Sequence, residues 1–196
     1  TNSFKEARFL RAYFYFNLVR AYGDVPYFTE MVTTDQVNSL TRTPAQEIFN
    51  AIIAECDKLS TELPADYTKL GLDGIAPAEN GRVTCYAALA LKARAALYAA
   101  SPLFNPENNK DLWRRAAEAN KEVIETCTAN GFKLSKYSEL WGPNNWSNNE
   151  MIFVRRYNGN ISTLEEYNFP MGVPGGNSGN CPTQNMVDAY EMKATG

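Results

Sequence analysis

The stretch from Arg82 to Ser101 constrains the fold of this chain more than any other part of the sequence. It holds eight alanines between Ala87 and Ala100. Alanine has the highest helix propensity and very little side-chain bulk, so neighbouring helices can approach an alanine-rich helix closely. We therefore expect a helix here that lies at the centre of a helical bundle.

A second helix is predicted from Glu6 to Tyr22, where apolar residues recur at helical spacing. Gly23 can take the left-handed conformation that ends a helix, and Pro26 prevents the helix from continuing. We interpret the apolar residues of this helix as a buried stripe formed by Phe9, Leu10, Tyr13, Phe14, Phe16 and Leu18.

A third helix is predicted to begin at Thr43. Thr43 is the expected N-cap, Pro44 the first helical residue, and Gln46 the partner that completes a capping box. Asp24, in the Gly-Asp-Val-Pro turn before this helix, is expected to make a turn hydrogen bond. The apolar stripe of the helix is Ile48, Phe49, Ile52, Ile53, Cys56, Leu59 and Leu63.

A fourth helix is predicted from Asp111 to Thr128, ended by Gly131. The four helices form two hairpins that resemble tetratricopeptide repeats, but their starts, near residues 6, 43, 84 and 111, lack a constant 34-residue interval. Any repeat is therefore irregular. The residues expected to face inward are Leu112, Trp113, Ala116, Ala117, Val123, Ile124 and Cys127.

The sequence changes character after Gly131. Residues 132–134 and 151–157 are short β-type runs, and the segments around them are rich in Asn and Gly. Thr183 is expected to cap a short helix. The predicted fold class is mainly α, with irregular tetratricopeptide-like helical hairpins, long loops and short β-segments. Residues 1–134 form the scaffold, and residues 135–196 form a loop-rich segment of the same domain.

Charge and composition narrow the chemistry of the chain. Its 19 basic and 22 acidic residues give a net charge of −3, so no positive field is available to collect nucleic acid. Histidine is absent, which excludes Ser-His-Asp and Cys-His nucleophiles and His-ligated zinc. We expect no cofactor and no metal site, because calcium-loop and zinc-site motifs are also missing. Of the four cysteines, Cys56 and Cys127 are expected on inward helix faces.

Six segments of the chain follow one another in an order that resembles a known family. They are EARFLRAYFYFNLVRAYGDVPY, TPAQEIFNAIIAECDKL, GRVTCYAALALKARAALYAA, LWRRAAEANKEVIE followed by GFKL, NEMIFVRRY, and PTQNMVDAYEMKATG. Together they resemble the SusD/RagB family, the surface glycan-binding lipoproteins that partner TonB-dependent transporters in the outer membrane of Bacteroidetes.

The resemblance implies an α-rich fold in which helical hairpins serve as scaffold and irregular loops bind sugar. It also implies a surface-exposed outer-membrane protein, held by a lipid anchor outside this chain, that binds oligosaccharide or polysaccharide and delivers it to a SusC-like TonB-dependent transporter. Family members are typically more than twice as long. We therefore expect this chain to be the central part of a larger protein, truncated at both ends.

A candidate sugar-binding segment runs from Trp141 to Glu150. Neutral polysaccharide is bound by flat aromatic faces and by amides or carboxylates that hydrogen-bond its hydroxyls, and this segment is rich in Trp and Asn. The alternative is that its two Trp side chains pin a long loop to the bundle while its Asn residues make turns. The candidate contact residues are Trp141, Asn144, Asn145, Trp146, Tyr157 and Tyr167.

Two other functions remain open from the sequence. One is a helical protein–protein interaction scaffold without direct sugar binding. The other is glycoside hydrolysis, which needs a pair of carboxyl groups, but none of the acidic residues in the loop region belongs to a recognisable acid/base motif. We therefore expect the protein not to be an enzyme. The carboxylates considered are Glu139, Glu150, Glu165, Glu166 and Asp188.

Overall fold

The computed structural model describes residues 2–67, 81–141, 148–154 and 167–190. It confirms the mainly helical fold class. The elements are α1 (Asn2–Tyr22), α2 (Thr34–Val37), α3 (Ala45–Glu62), α4 (Cys85–Ala100), α5 (Lys110–Ala129), a 3₁₀ helix (Tyr137–Trp141) and α6 (Gln184–Asp188).

The chain divides into two compact units, residues 1–154 and 155–196. The division into 1–134 and 135–196 drawn from the sequence stays a prediction. Within the described ranges, no helix is both long enough and apolar enough to span a membrane.

Helix α4 lies at the centre of the first unit, as its alanine content predicts. Ten of its 16 residues are buried, and it packs against both α3 and α5. The side-chain oxygen of Thr84 caps the helix by accepting a hydrogen bond from the backbone N–H of Ala87. Small side chains on α4 allow α3 and α5 to pack closely on its two sides.

The start of α3 differs from the sequence prediction. Pro44 is the N-cap residue, and no side chain of α3 itself completes a capping box. The backbone N–H of Ala45 donates instead to Asp24 Oδ1 at 2.7 Å. The side-chain amide of Gln46 donates to the carbonyl oxygens of Ala99 and Phe104, both at 2.7 Å. The predicted capping box was wrong because Pro44, not Thr43, is the N-cap residue, and the Gln46 side chain bonds to other parts of the chain.

Helix α1 buries only one of its two apolar stripes, so the prediction of a single wide buried stripe was wrong. Phe9, Ala12, Phe16 and Val19 face the core. Phe14 is 64% exposed, and Leu10 and Leu18 are 38% and 39% exposed. The physical reason is that α1 packs mainly against α3, with a smaller contact to α4, which leaves its other side uncovered.

Helix α5 contacts α4 through a narrower stripe than predicted. Ala116, Ala119 and Cys127 are buried, and Leu112 and Val123 pack at the edge of the core. This spacing of three and four residues is one helical face. The face is narrow because, among the described elements, α5 packs only against α4. The predicted inward positions of three residues were wrong, since the structure exposes Trp113, Ala117 and Ile124.

The two β-type runs form no strand in their described parts, which corrects that expectation. Their aromatic side chains pack on helices: Phe132 lies against Tyr86 with ring centroids 4.9 Å apart, and Phe153 lies against Phe9 at 5.3 Å. Packing of these rings against the bundle takes the place of strand pairing. Residues 155–157 lie outside the described residues.

The described part of the second unit is a tight loop followed by α6. Backbone hydrogen bonds from Ser178 to Phe169 and from Gly179 to Tyr167 close the loop at 2.8 and 2.7 Å. The side chain of Thr183 accepts from the backbone N–H of Met186, which confirms the predicted cap of α6.

Candidate functional site

The first unit contains a cleft of about 710 Å³ walled by α1, α4, α5 and residues 150–153. Its volume lies within the range of about 300–1,000 Å³ that is usual for small-molecule sites. Aromatic and polar side chains both line it. The aromatic ones include Tyr13, Tyr98 and Phe153, and the polar ones are Arg94, Asn120 and Glu150.

The aromatic wall of the cleft is held by ring packing. Phe153 meets Phe9 and Tyr13 edge to face, with centroids 5.3 and 6.2 Å away. Tyr98 meets Phe16 in the same way at 5.2 Å. These contacts fix the rings before any ligand arrives.

Glycine at position 81 allows residues 150–154 to approach the start of α4. Gly81 has φ of +110°, and a Cβ atom there would lie only 2.7 Å from the carbonyl oxygen of Val154. A larger residue would therefore push this segment away and open the wall of the cleft.

Hydrogen bonds hold the other end of the same segment. The Glu150 carboxylate accepts from the backbone N–H of Ser135 at 2.9 Å, and Asn148 Oδ1 accepts from the Ser135 hydroxyl at 2.6 Å. Asn148 also accepts from the backbone N–H of Glu150. At this position the turn-making alternative for the Asn residues is correct.

Several polar groups in the cleft have hydrogen-bonding capacity left. Within the described ranges, the Arg94 guanidinium and the hydroxyls of Tyr13 and Tyr98 make no hydrogen bond to the protein. Asn120 uses its amide N–H groups on Ala116 O at 2.8 Å and on Ala93 O. The cleft thus offers both hydrogen-bond donors and acceptors beside aromatic faces.

The structure describes only two of the six predicted contact residues. Trp141 is the last residue of the 3₁₀ helix Tyr137–Trp141. Tyr167 belongs to the second unit, is 53% exposed, and packs its ring so closely against Gly179 that a Cβ atom there would collide with it. The other four, Asn144, Asn145, Trp146 and Tyr157, lie outside the described residues.

The sequence analysis did not find the cleft, although one signal was present. Helix α4 carries two charged residues, Lys92 and Arg94; Lys92 pairs with Asp57 and Glu122. Arg94 lies instead on a face shared with Ala90 and Leu97, at positions i, i+4 and i+7. All three residues line the cleft. A charge on the innermost helix indicates either an ion pair with a neighbouring helix, as at Lys92, or a surface that the helices leave open, as at Arg94.

A second, more apolar groove of about 570 Å³ runs along the exposed stripe of α1. Leu10, Phe14, Leu18 and Phe28 line it. The Tyr15 hydroxyl shapes its edge, because it donates to the carbonyl oxygen of Phe28 and accepts from the Phe28 N–H, both at 3.1 Å.

Acidic residues give no recognisable catalytic arrangement in the described parts of the chain. Glu150 lines the cleft but accepts a hydrogen bond from Ser135, and Glu165 and Glu166 lie outside the described residues. No group of three His, Cys, Asp or Glu side chains within the described ranges could hold a metal ion.

Comparison with known proteins gives consistent matches. Residues 3–97 match the SusD-like family model described as "Starch-binding associating with outer membrane". Two SusD-like proteins of Formosa agariphila are 25% and 27% identical to this chain, over 76% and 81% of its length. The chain covers 24% and 28% of those two relatives, about a quarter of their length.

Solved structures share the fold. A SusD-like protein from Bacteroides fragilis matches 96% of this chain with a TM-score of 0.68 and 27% identity; the match covers 35% of that protein. A SusD-like carbohydrate binding protein from Bacteroides fragilis matches 78% of the chain with a TM-score of 0.59 and 28% identity, over 26% of its own length.

Surface glycan-binding protein A from Bacteroides uniformis shares the fold as well. It matches 76% of this chain with a TM-score of 0.57 and 23% identity, and the match covers 29% of that protein. The order of the helices, the family model and the curated relatives agree with one another. The chain is similar to proteins of the SusD/RagB family over most of its length, which supports its interpretation as a fragment of such a protein.

Proposed function

We propose that this chain is part of a non-catalytic protein that binds oligosaccharide or polysaccharide at the cell surface and delivers it to a SusC-like TonB-dependent transporter in the outer membrane. The observation that carries the proposal is the match of residues 3–97 to a family described as starch-binding and associated with the outer membrane. Two of the similar solved structures are named as carbohydrate-binding or glycan-binding proteins, which supports sugar as the ligand.

The proposed contact residues are the aromatic and amide side chains named from the sequence. Aromatic faces stack on the C–H faces of sugar rings, and amides donate to and accept from sugar hydroxyls. Affinity is expected to be modest, because each sugar hydroxyl must be desolvated and little apolar surface is buried. These residues are Trp141, Asn144, Asn145, Trp146, Tyr157 and Tyr167.

A binding screen tests the proposal directly. The intact protein is titrated with a panel of soluble polysaccharides, and reducing ends are assayed in the same samples. Saturable binding without new reducing ends is the expected result. Release of reducing ends that a single Glu→Gln substitution abolishes would instead establish a hydrolase.

Substitution of Trp146 tests the contact segment. Trp146→Ala is expected to weaken binding about tenfold or more, because stacking of one ring on an aromatic face is lost. Trp113→Ala is the matched control, since Trp113 lies half-exposed on α5 and its indole N–H bonds only to Asn108 nearby. Equal affinities of the two variants would remove Trp146 from the site.

The exposed apolar groove of α1 favours a second candidate function, that of a protein–protein interaction scaffold. Leu10, Phe14 and Leu18 make the uncovered side of α1 apolar, and a contiguous exposed apolar surface is typical of protein-interaction sites. Two results together would favour this function over the first. The protein would co-purify with a SusC-like transporter, with Phe14→Ser abolishing the co-purification, and it would bind no sugar.

A further inference from the structure

We propose that the cleft between α1, α4 and α5 is a subsite for one unit of a neutral glycan. The inference rests on the proposed function and assigns part of it to residues of the helical scaffold. Glu150 is both the last residue of the Trp141–Glu150 segment and a lining residue of the cleft. The described end of that segment therefore borders the cleft.

The walls of the cleft suit a sugar ring. Tyr13 and Phe153 place aromatic surface on one side, and their mutual ring packing keeps that surface in position. Tyr98 adds a third ring, fixed against the buried Phe16. A preformed wall reduces the ordering cost of binding, which matters for a ligand that buries little apolar area.

The polar groups of the cleft suit sugar hydroxyls, each of which donates one hydrogen bond and accepts others. The Arg94 guanidinium supplies donors only; it is exposed and makes no hydrogen bond or ion pair with the described residues. The Glu150 carboxylate supplies acceptors, and one of its two oxygens, Oε2, is bonded to Ser135. The hydroxyls of Tyr13 and Tyr98 can serve in either role.

The charge balance of the cleft argues for a neutral unit. Arg94 and Glu150 are the charged residues that line it, and their formal charges cancel. An acidic sugar would meet the guanidinium but also the carboxylate, and repulsion from the carboxylate would offset the attraction. Binding in the cleft should accordingly depend little on salt concentration.

Calorimetric titration of the intact protein tests the inference. The ligands are two neutral polysaccharides, soluble starch and laminarin, and one acidic polysaccharide, alginate. Arg94→Ala is expected to weaken binding of the neutral glycan about tenfold, and Tyr13→Phe about threefold, because hydrogen bonds from charged groups are stronger than those from neutral ones. Arg114→Ala, on the exposed side of α5, should leave affinity unchanged.

Filling the cleft is an independent test. Ala90 lines the cleft on α4, so Ala90→Trp should occlude it and reduce affinity at least tenfold. Ala117→Trp introduces the same side chain at an exposed position of α5 and is the matched control. Circular dichroism and the melting temperature report whether each variant is folded, and Arg94→Ala remains informative if Ala90→Trp is not.

The outcomes separate this inference from the proposed function. If the wild type binds glycan and neither Arg94→Ala nor Ala90→Trp weakens this binding, the assignment of the cleft as a glycan subsite is overturned. The proposed function then still stands. A fall in melting temperature without loss of affinity would identify the cleft as a packing surface for protein instead. If the protein prefers alginate and added salt weakens this preference, the assignment of a neutral glycan to the cleft is overturned. Absence of binding to all three polysaccharides would overturn both proposals.

Discussion

At the scale of single residues, Asp24 shows that the start of a helix can be set from outside it. Pro44 precedes α3 and has no side-chain hydrogen-bond acceptor, so the first N–H groups of the helix lack a local cap. The Asp24 carboxylate satisfies the N–H of Ala45 from the turn that ends α1. Because Gly23, with φ of +71°, precedes Asp24, one short turn ends α1 and caps α3.

Removal of this carboxylate should destabilise the chain. Asp24→Ala is expected to lower the free energy of unfolding by about 1 kcal/mol, the usual cost of losing an N-cap, and Asp24→Asn by less because the amide oxygen still accepts. Urea unfolding measures the change. Glu118→Ala, at an exposed site on α5, is the control, and an equal effect of Asp24→Ala and Glu118→Ala would show that the cap contributes nothing.

The buried Cys56 thiol makes the free energy of unfolding depend on pH in the alkaline range. Burial raises the pKa of the Cys56 thiol to about 12 from an ordinary value near 9, with a smaller contribution from Glu55. The folded state therefore keeps a proton that the unfolded state releases. The resulting stabilisation is complete below about pH 9 and is lost as pH rises towards about 12.

Urea unfolding between about pH 9 and 11 tests this coupling. The free energy of unfolding should fall with pH in the wild type and fall less steeply in Cys56→Ala, whatever the cavity costs at neutral pH. Cys181→Ala is the control, because that thiol is exposed. Parallel pH curves for the wild type and Cys56→Ala would contradict the assignment.

At the scale of elements, α1 shows what a hydrophobic pattern can predict and what it cannot. The spacing of its apolar residues correctly predicted a helix, and Gly23 correctly predicted its end. The pattern could not tell which apolar stripe meets α3, because both stripes recur every three to four residues. That choice depends on which helices are present to cover each side.

Phe16 and Phe14 offer a matched test of the two stripes. Phe16→Ala should lower the free energy of unfolding of this chain by about 3–5 kcal/mol, since Phe16 is 1% exposed and leaves a cavity. Phe14→Ala, at 64% exposure, should change it by less than about 1 kcal/mol. Similar losses in the two variants would show that the outer stripe is also packed.

The candidate site was less predictable from the sequence than the helices. Thr84 and Thr183 cap helices through contacts within a few residues, and local sequence reveals such contacts. The cleft combines three helices with residues 150–153, which are far apart in the chain. No local pattern encodes such a juxtaposition, and Arg94 on the alanine-rich α4 was its one visible sign.

At the scale of the whole molecule, the hydrophobic core formed by the described residues lies in the first unit. Its buried residues extend from Phe9 to Ala119, and Ile152 packs against them at the edge. Ion pairs join the helices around this core: Arg8 binds Glu55 and Glu62 across α1 and α3. Such partly exposed pairs add about 0–1 kcal/mol each, so burial of the apolar core dominates stability.

Two shortened chains test where this folding unit ends. A chain of residues 1–154 contains the whole core and should unfold in one cooperative transition, with a melting temperature within a few degrees of the 196-residue chain. A chain ending at Gly131 lacks three side chains that pack on the helices, those of Phe132, Ile152 and Phe153. Its free energy of unfolding should therefore be lower by about 2–4 kcal/mol. Equal stability of the two shortened chains would place the boundary near residue 134, as the sequence predicts, and would show that residues 150–153 add nothing to the fold.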